Sequence, residues 1–179
     1  MLRSIEKPRA GEYAPYAAMY IDLLPDDGRV LEHLADQARR VESAFESASA
    51  DRLIHRYAAG KWTPREVLLH IIDDERIFSY RALRFARGDT TDLPGFEQDP
   101  YVAASGANSR SVASLLEEHH AVRQSTLALF QNLPAEAFDG AGIASGARAT
   151  VRALAYHIAG HELHHLSVLR ERYGIGVAR

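Results

Sequence analysis

The residues best suited to chemistry are four histidines within nine positions, His157, His161, His164 and His165, in a chain that contains nine histidines. On a helix, residues i and i+4 project from the same side about one turn apart. That spacing lets two imidazoles reach one metal ion at about 2.0–2.1 Å. Spacing alone leaves several pairs possible, and a solvated polar helix end is the simpler interpretation of any one of these histidines.

The apolar residues of the same segment select one pair. Leu154 and Ile158 form a stripe that should face a protein core, and His161 and His165 continue this stripe. His157 sits at the edge of the stripe and should point past an ion. Unpaired polar groups are costly in a core, so the sequence predicts that His161 and His165 are metal ligands.

A third ligand is predicted at His70, a lone histidine on the apolar face of another predicted helix. Three imidazoles leave one position of a tetrahedral ion open, as in reactive rather than structural metal sites. The remaining histidines are expected at the surface or rim: His33, His55, His119 and His120. Among them, His119 is the best spare candidate for a metal ligand.

Carboxylates near these histidines are candidates for supporting roles. Asp74 is predicted on the inner face of its helix as a catalytic or orienting group, and Asp73 and His157 are predicted to support the ligands. Glu162 completes an HExxH pattern, in which glutamate is the base of a metalloprotease. The downstream ligand that this pattern needs is missing, and Glu162 lies about 100° round the helix from His161, so it should face solvent or a partner.

The substrate side of the site is predicted to include Arg81, which should line a cleft with Asp74 and orient a charged cosubstrate. A long connection, residues 88–109, follows the helix that carries His70. We expect part of it, including Asp99 or Tyr101, to border that cleft, because connections of this length are usually functional.

The elements that position these residues are four amphipathic helices, predicted at about 27–48, 64–87, 109–133 and 150–173. Thr63-Pro64 with Glu66 is a helix-start signal, and Gly174 is a stop signal. We predict an all-α four-helix bundle with a long crossover connection and no strand. An irregular arm is expected at 1–26, with a short helical turn within 12–20, then the bundle at 27–174 and a tail at 175–179.

Composition narrows the classes of function. The net charge is −3 without a basic block, which argues against nucleic acid as a partner. There is no cysteine, which excludes disulfides, cysteine-ligated metals and a cysteine nucleophile. No apolar stretch suits a signal peptide or a membrane span, so we expect a cytoplasmic location without membrane association.

Two segments resemble the DinB/YfiT-like family of metal-dependent four-helix bundles: residues 61–73, KWTPREVLLHIID, and residues 157–165, HIAGHELHH. The turn at 133–134 and the ending RERYG at 170–174 also look like that family, so the resemblance spans roughly 27–174. It implies the ligand triad His70, His161 and His165, zinc or nickel as the metal, and a homodimer.

The resemblance also implies a function. Characterised members of the family transfer low-molecular-weight thiols such as bacillithiol, so the first hypothesis is a metal-dependent thiol S-transferase. The second hypothesis is a metal hydrolase that activates water with Glu162 or Asp74 as base. The third is a stress-related metal-binding bundle without catalysis.

Overall fold

The computed structural model describes residues 2–176. In chain order the elements are α1 (Ala18–Ile21, after a 3₁₀ turn at Pro15–Ala17), α2 (Val30–Glu46), α3 (Ala50–Leu53), α4 (Pro64–Ala86), α5 (Gln98–Ala104), α6 (Val112–Asn132), β1 (Ala141–Ala144), β2 (Ala147–Thr150) and α7 (Val151–Tyr173).

The four long helices form the predicted bundle. Both α2 and α4 pack against α6 and α7, so α2 and α4 occupy opposite corners. The chain therefore crosses the bundle between α2 and α4, which confirms the expected crossover. Within residues 2–176, no helix is both long enough and apolar enough to cross a lipid bilayer.

The helices that carry the histidines begin and end where the sequence signals lie. Thr63 and Glu66 form a capping box at the start of α4, with Pro64 in the first turn. At the start of α7 the Thr150 hydroxyl accepts a hydrogen bond from the backbone N–H of Ala153 (3.2 Å). Gly174 ends α7 in the left-handed conformation, φ +63°.

The prediction that the chain has no strand was wrong. Residues 141–150 form a two-stranded antiparallel hairpin, which turns at Ser145 and Gly146 with φ of 53° and 74°. Positive φ at both central residues matches the right-handed twist of paired strands. Strands of four residues are too short to produce a periodic pattern, and the glycines of this segment led to its prediction as a loop.

The N-terminal arm packs into the bundle. Ile5, Ala17 and Ile21 are buried, and the Tyr156 hydroxyl donates a hydrogen bond to the carbonyl oxygen of Ile5 (2.9 Å). A Cβ at Gly160 of α7 would lie 2.2 Å from a backbone oxygen of the arm, so only glycine permits this approach. Met1 and residues 177–179, which hold most of the predicted C-terminal tail, lie outside the described residues.

The core is divided into two apolar clusters along the bundle. One contains Leu34, Phe85, Phe130 and Tyr156, and the other contains Phe45, Leu68, Leu115 and Leu169. Buried polar side chains lie at the level between them, contributed by α4, α6 and α7: His70, Asp74, Glu75, His119, Arg123, His157, His161 and Glu162. This polar layer contains the candidate site.

Candidate metal centre

Three imidazole nitrogens converge from two helices within the polar layer. Nε2 of His161 lies 3.1 Å from Nε2 of His70 and 3.1 Å from Nε2 of His165. His70 comes from α4, and His161 and His165 lie one turn apart on α7. Their ligand atoms have the mutual spacing of a metal site.

Hydrogen bonding alone does not explain this convergence. A neutral imidazole nitrogen carries either one proton or one lone pair, so Nε2 of His161 cannot satisfy two neighbouring nitrogens at once. A tetrahedral ion with Zn–N bonds of about 2.05 Å places its ligand nitrogens roughly 3.3 Å apart. The two distances of 3.1 Å are close to this separation, so the three histidines would fit one divalent ion.

Burial keeps the three rings in the form that binds metal. It lowers the pKa of His161 and His165 well below the ordinary value for histidine. Burial also lowers the pKa of His70, although the charges of Asp74 and Asp99 act in the opposite direction. The imidazoles are thus neutral near pH 7, with lone pairs available for an ion.

Asp74 lies behind the triad. Its Oδ2 atom is 3.3 Å from Nδ1 of His161 and 3.5 Å from Nε2 of His157. This oxygen has no hydrogen bond within residues 2–176, but its charge favours the tautomer of His161 with the proton on Nδ1, so that Nε2 would present its lone pair to the metal position. Asp74 therefore faces the outer edge of His161 rather than the predicted open position. Asp73, one residue earlier, is half-buried; burial raises its pKa, and the charges of Glu118, Arg76 and Asp74 also act on it.

Two aromatic rings form walls around the histidines. The Trp62 ring lies 4.8 Å from the ring of His70, between centroids. The Tyr20 ring, from the N-terminal arm, lies edge-on to His161 at 5.2 Å. Sequence patterns gave no signal for Tyr20, because only the close packing of the arm at Gly160 brings it to α7.

A second buried cluster lies on the other side of α7. Glu162 accepts hydrogen bonds from Nη2 of Arg123 (2.8 Å) and lies 2.7 Å from Nε2 of His119. Arg123 also donates to both oxygens of Glu75, at 2.9 Å and 2.8 Å, and to the carbonyl of Leu34. The expectation that His119 lies at the surface or rim was wrong, since it is 2% exposed.

This second cluster also has metal-site spacing, through Glu75, His119 and Glu162. Arg123 already supplies the cation there, however, and its guanidinium is bonded to both carboxylates. Glu162 faces away from the triad as predicted, but into this network and not into solvent. Arg123 and Glu75 were not predicted from the sequence as residues of the site. The available signal was that Arg123 follows His119 by four residues and so shares its helix face.

Of the predicted substrate-side residues, Arg81 lies apart from the triad, whereas Asp99 lies close enough for its charge to act on the pKa of His70. Arg81 is seven residues beyond Asp74 on α4, about 10 Å along the helix, and donates from Nη2 to the Pro94 carbonyl (3.1 Å) and to Oγ of Ser145 (3.0 Å). Tyr101 on α5 is half-exposed, with its ring 5.3 Å from that of Phe96.

The sequence model of the DinB superfamily matches residues 33–169. The structure is similar to YfiT from Bacillus subtilis, described as a probable metal-dependent hydrolase with an unusual four-helix bundle topology; the TM-score is 0.70, with 16% identity over 95% of each chain. It is also similar to YjoA, a DinB-like protein from the same organism, with a TM-score of 0.55 and 20% identity over 79% of this chain and 86% of that one. No curated protein sequence matches this chain.

Proposed function

This chain belongs to the DinB superfamily, and we propose that it is a metal-dependent enzyme that activates a low-molecular-weight thiol for transfer to an electrophile. His70, His161 and His165 hold one divalent ion in this proposal, zinc or nickel. The observation that carries the proposal is the convergence of the three rings, in which Nε2 of His161 lies 3.1 Å from Nε2 of His70 and 3.1 Å from Nε2 of His165.

Each part of the site has a role in this proposal. Three neutral imidazoles leave a divalent ion its full positive charge, which lowers the pKa of a thiol bound beside it. The chain has no cysteine, so the thiol belongs to a cosubstrate. The charge of Asp74, 3.3 Å from Nδ1 of His161, favours the tautomer with the proton on Nδ1, which leaves the lone pair on Nε2. Trp62 and Tyr20 exclude water from the sides of the histidines.

Hydrolysis is the second candidate, and the description of YfiT as a probable metal-dependent hydrolase favours it. Activation of water needs a base within hydrogen-bond reach. Asp74 faces the outer nitrogen of His161, and Glu162 is bonded to Arg123 and His119. Neither carboxylate is free on the inner side of the triad. The exposed Asp99, which influences the pKa of His70, is the remaining candidate base. Because no base is well placed to remove a proton, the site favours a ligand that loses its proton readily. A thiol is far more acidic than water.

Cobalt substitution separates these functions. Cobalt(II) should bind the native protein, and addition of a thiol such as bacillithiol should produce a sulfur-to-cobalt absorption band that chloride does not produce. His70→Ala serves as the matched control and should show no band. Unchanged spectra with every thiol, together with metal-dependent hydrolysis of a chromogenic ester, would reject transfer in favour of hydrolysis. Metal binding without either activity would favour the non-catalytic bundle.

We also propose that the protein forms a homodimer. Met19 and Leu23 on and beside α1 are about half-exposed, which provides an apolar area next to the arm. Light scattering coupled to gel filtration should give twice the mass of one chain. A Met19→Lys/Leu23→Lys variant that stays dimeric would place the interface elsewhere, and a monomeric native protein would reject the proposal.

A further inference from the structure

A small cavity lies one layer beyond the histidine triad, where the N-terminal arm and the hairpin cover one end of α4 and α7. Its free space is about 20 Å³, enough for one or two water-sized atoms such as the two oxygens of a carboxylate, and the cavity is partly open to solvent. The polar side chains that line it are those of Tyr13, Tyr16, Arg81, Arg148 and His157, and the remaining lining residues are apolar, most of them alanines. No carboxylate lines this cavity.

Arg81 is the unusual residue of the cavity. It is only 4% exposed, and among residues 2–176 no carboxylate lies within ion-pair distance of it. Its guanidinium lies over the Phe78 ring at 4.8 Å, and its two hydrogen bonds both come from Nη2. Nε and Nη1 have no hydrogen-bond acceptor within the described chain. These two nitrogens are not sealed from water, and the charge of Asp74 acts on the guanidinium from a distance, so Arg81 has donors free for a ligand that enters the cavity.

His157 gives a second, independent indication of a missing partner. Its ring stacks on Phe78 at 3.7 Å and is 4% exposed, yet neither ring nitrogen has a hydrogen bond within residues 2–176. One of these nitrogens lies 3.5 Å from Asp74, and the ring also borders the cavity. An acceptor placed in the cavity would have donors available from the arginine, the histidine and the Tyr16 hydroxyl.

We propose that this cavity binds the carboxylate group of a small molecule, with Arg81 as the principal cation and with Tyr16 and His157 as further donors. None of the three proposed metal ligands lines this cavity, so it is a binding site separate from the triad. A planar carboxylate suits the small volume better than a tetrahedral phosphate does.

Binding of the carboxylate is testable without any metal chemistry. The metal-free native protein is titrated with acetate, phosphate and chloride at constant ionic strength and pH 7, and its melting temperature is recorded. Acetate should raise the melting temperature in a saturating manner, because it binds the folded state only. Arg81→Met should weaken acetate binding by about tenfold or more, as expected for the loss of a charged hydrogen-bond donor. Arg87→Met, on the exposed end of the same helix, is the matched control and should bind acetate as the native protein does.

Further variants keep the result interpretable. Arg81→Lys retains the charge and should bind acetate more weakly than the native protein but more tightly than Arg81→Met. Should neither variant fold, the Nε–H resonance of Arg81 in the native protein should shift during the acetate titration. His70→Ala should retain acetate binding, so failure of the metal assignment and failure of this proposal give different results.

Two outcomes would overturn the inference. Equal, non-saturating responses of the native protein and Arg81→Met to all three anions would show that Arg81 only ties the hairpin to α4. Tighter binding of phosphate than of acetate would replace a carboxylate ligand by a phosphate ligand.

Discussion

Arg123 donates a hydrogen bond of 2.8 Å to Glu162, the residue that follows the proposed metal ligand His161. The same guanidinium binds Glu75, which follows Asp74 on α4, and the carbonyl of Leu34 on α2. One side chain of α6 therefore contacts each of the other three long helices at the level of the triad. Through Glu75 and Glu162 it fixes the two helices that carry the histidines relative to each other.

Removal of this cation should strongly destabilise the protein. Arg123→Met leaves two buried carboxylates without their cation, and we expect the free energy of unfolding to fall by about 3–5 kcal/mol. Urea unfolding measures the change. In the triple variant Arg123→Met/Glu75→Gln/Glu162→Gln, no unpaired charge remains, so at least half of the lost stability should return. A loss below about 1 kcal/mol in the single variant would show that the network contributes little.

Removal of one proposed ligand should nearly abolish metal binding. His70→Ala and His165→Ala each leave two imidazoles, and we expect zinc affinity to fall by more than about 100-fold. This loss exceeds the usual effect of removing a residue that only hydrogen-bonds to a metal ligand. Competition with a chromogenic chelator measures the affinity. His120→Ala, an exposed histidine of α6, is the control and should bind zinc normally. Full zinc retention by His70→Ala would disprove the triad.

The carboxylate behind His161 should tune metal affinity without binding the ion. Asp74→Asn keeps the shape of the side chain but removes the charge that holds the Nδ1 proton, so zinc affinity should fall by about 10- to 100-fold. Asp73→Asn is the adjacent control and should have no effect, because no contact joins Asp73 to the three histidines. Equal losses in both variants would indicate a general electrostatic effect and would argue against the specific contact to His161.

The hydrogen bond that anchors the arm should make stability depend on alkaline pH. Burial raises the pKa of Tyr156 from 10.0 to about 12. A folded-state pKa above the unfolded value means that this stabilisation is complete below pH 10 and is lost as the pH rises towards 12. Tyr156→Phe should lower stability by about 0.5–1.5 kcal/mol at pH 8 and should reduce the decline between pH 10 and 12.

Unfolding by urea at several pH values tests this dependence. Tyr101→Phe, a half-exposed tyrosine of α5, is the control and should retain the native pH profile. Parallel pH profiles of the native protein and Tyr156→Phe would contradict the assignment to Tyr156.

The sequence by itself determined the four long helices and the pair His161 and His165. Helix limits follow from local chemistry, since the capping box at Thr63 and the left-handed Gly174 act within one turn. The i, i+4 spacing fixes which side chains share a face before any tertiary contact forms. The position of His70 beside this pair was also predictable, because a lone histidine on an apolar face requires a polar partner.

Only the tertiary structure decided which residues surround the triad. The contacts of Arg123 join residues 39, 48 and 89 positions apart in the chain, and no local pattern encodes such separations. The hairpin was missed because its strands are short, and Tyr20 was missed because its place depends on the packing of the arm at Gly160. Buried polar groups are satisfied by whatever partner the packed helices bring near, so their partners are a property of the assembled bundle.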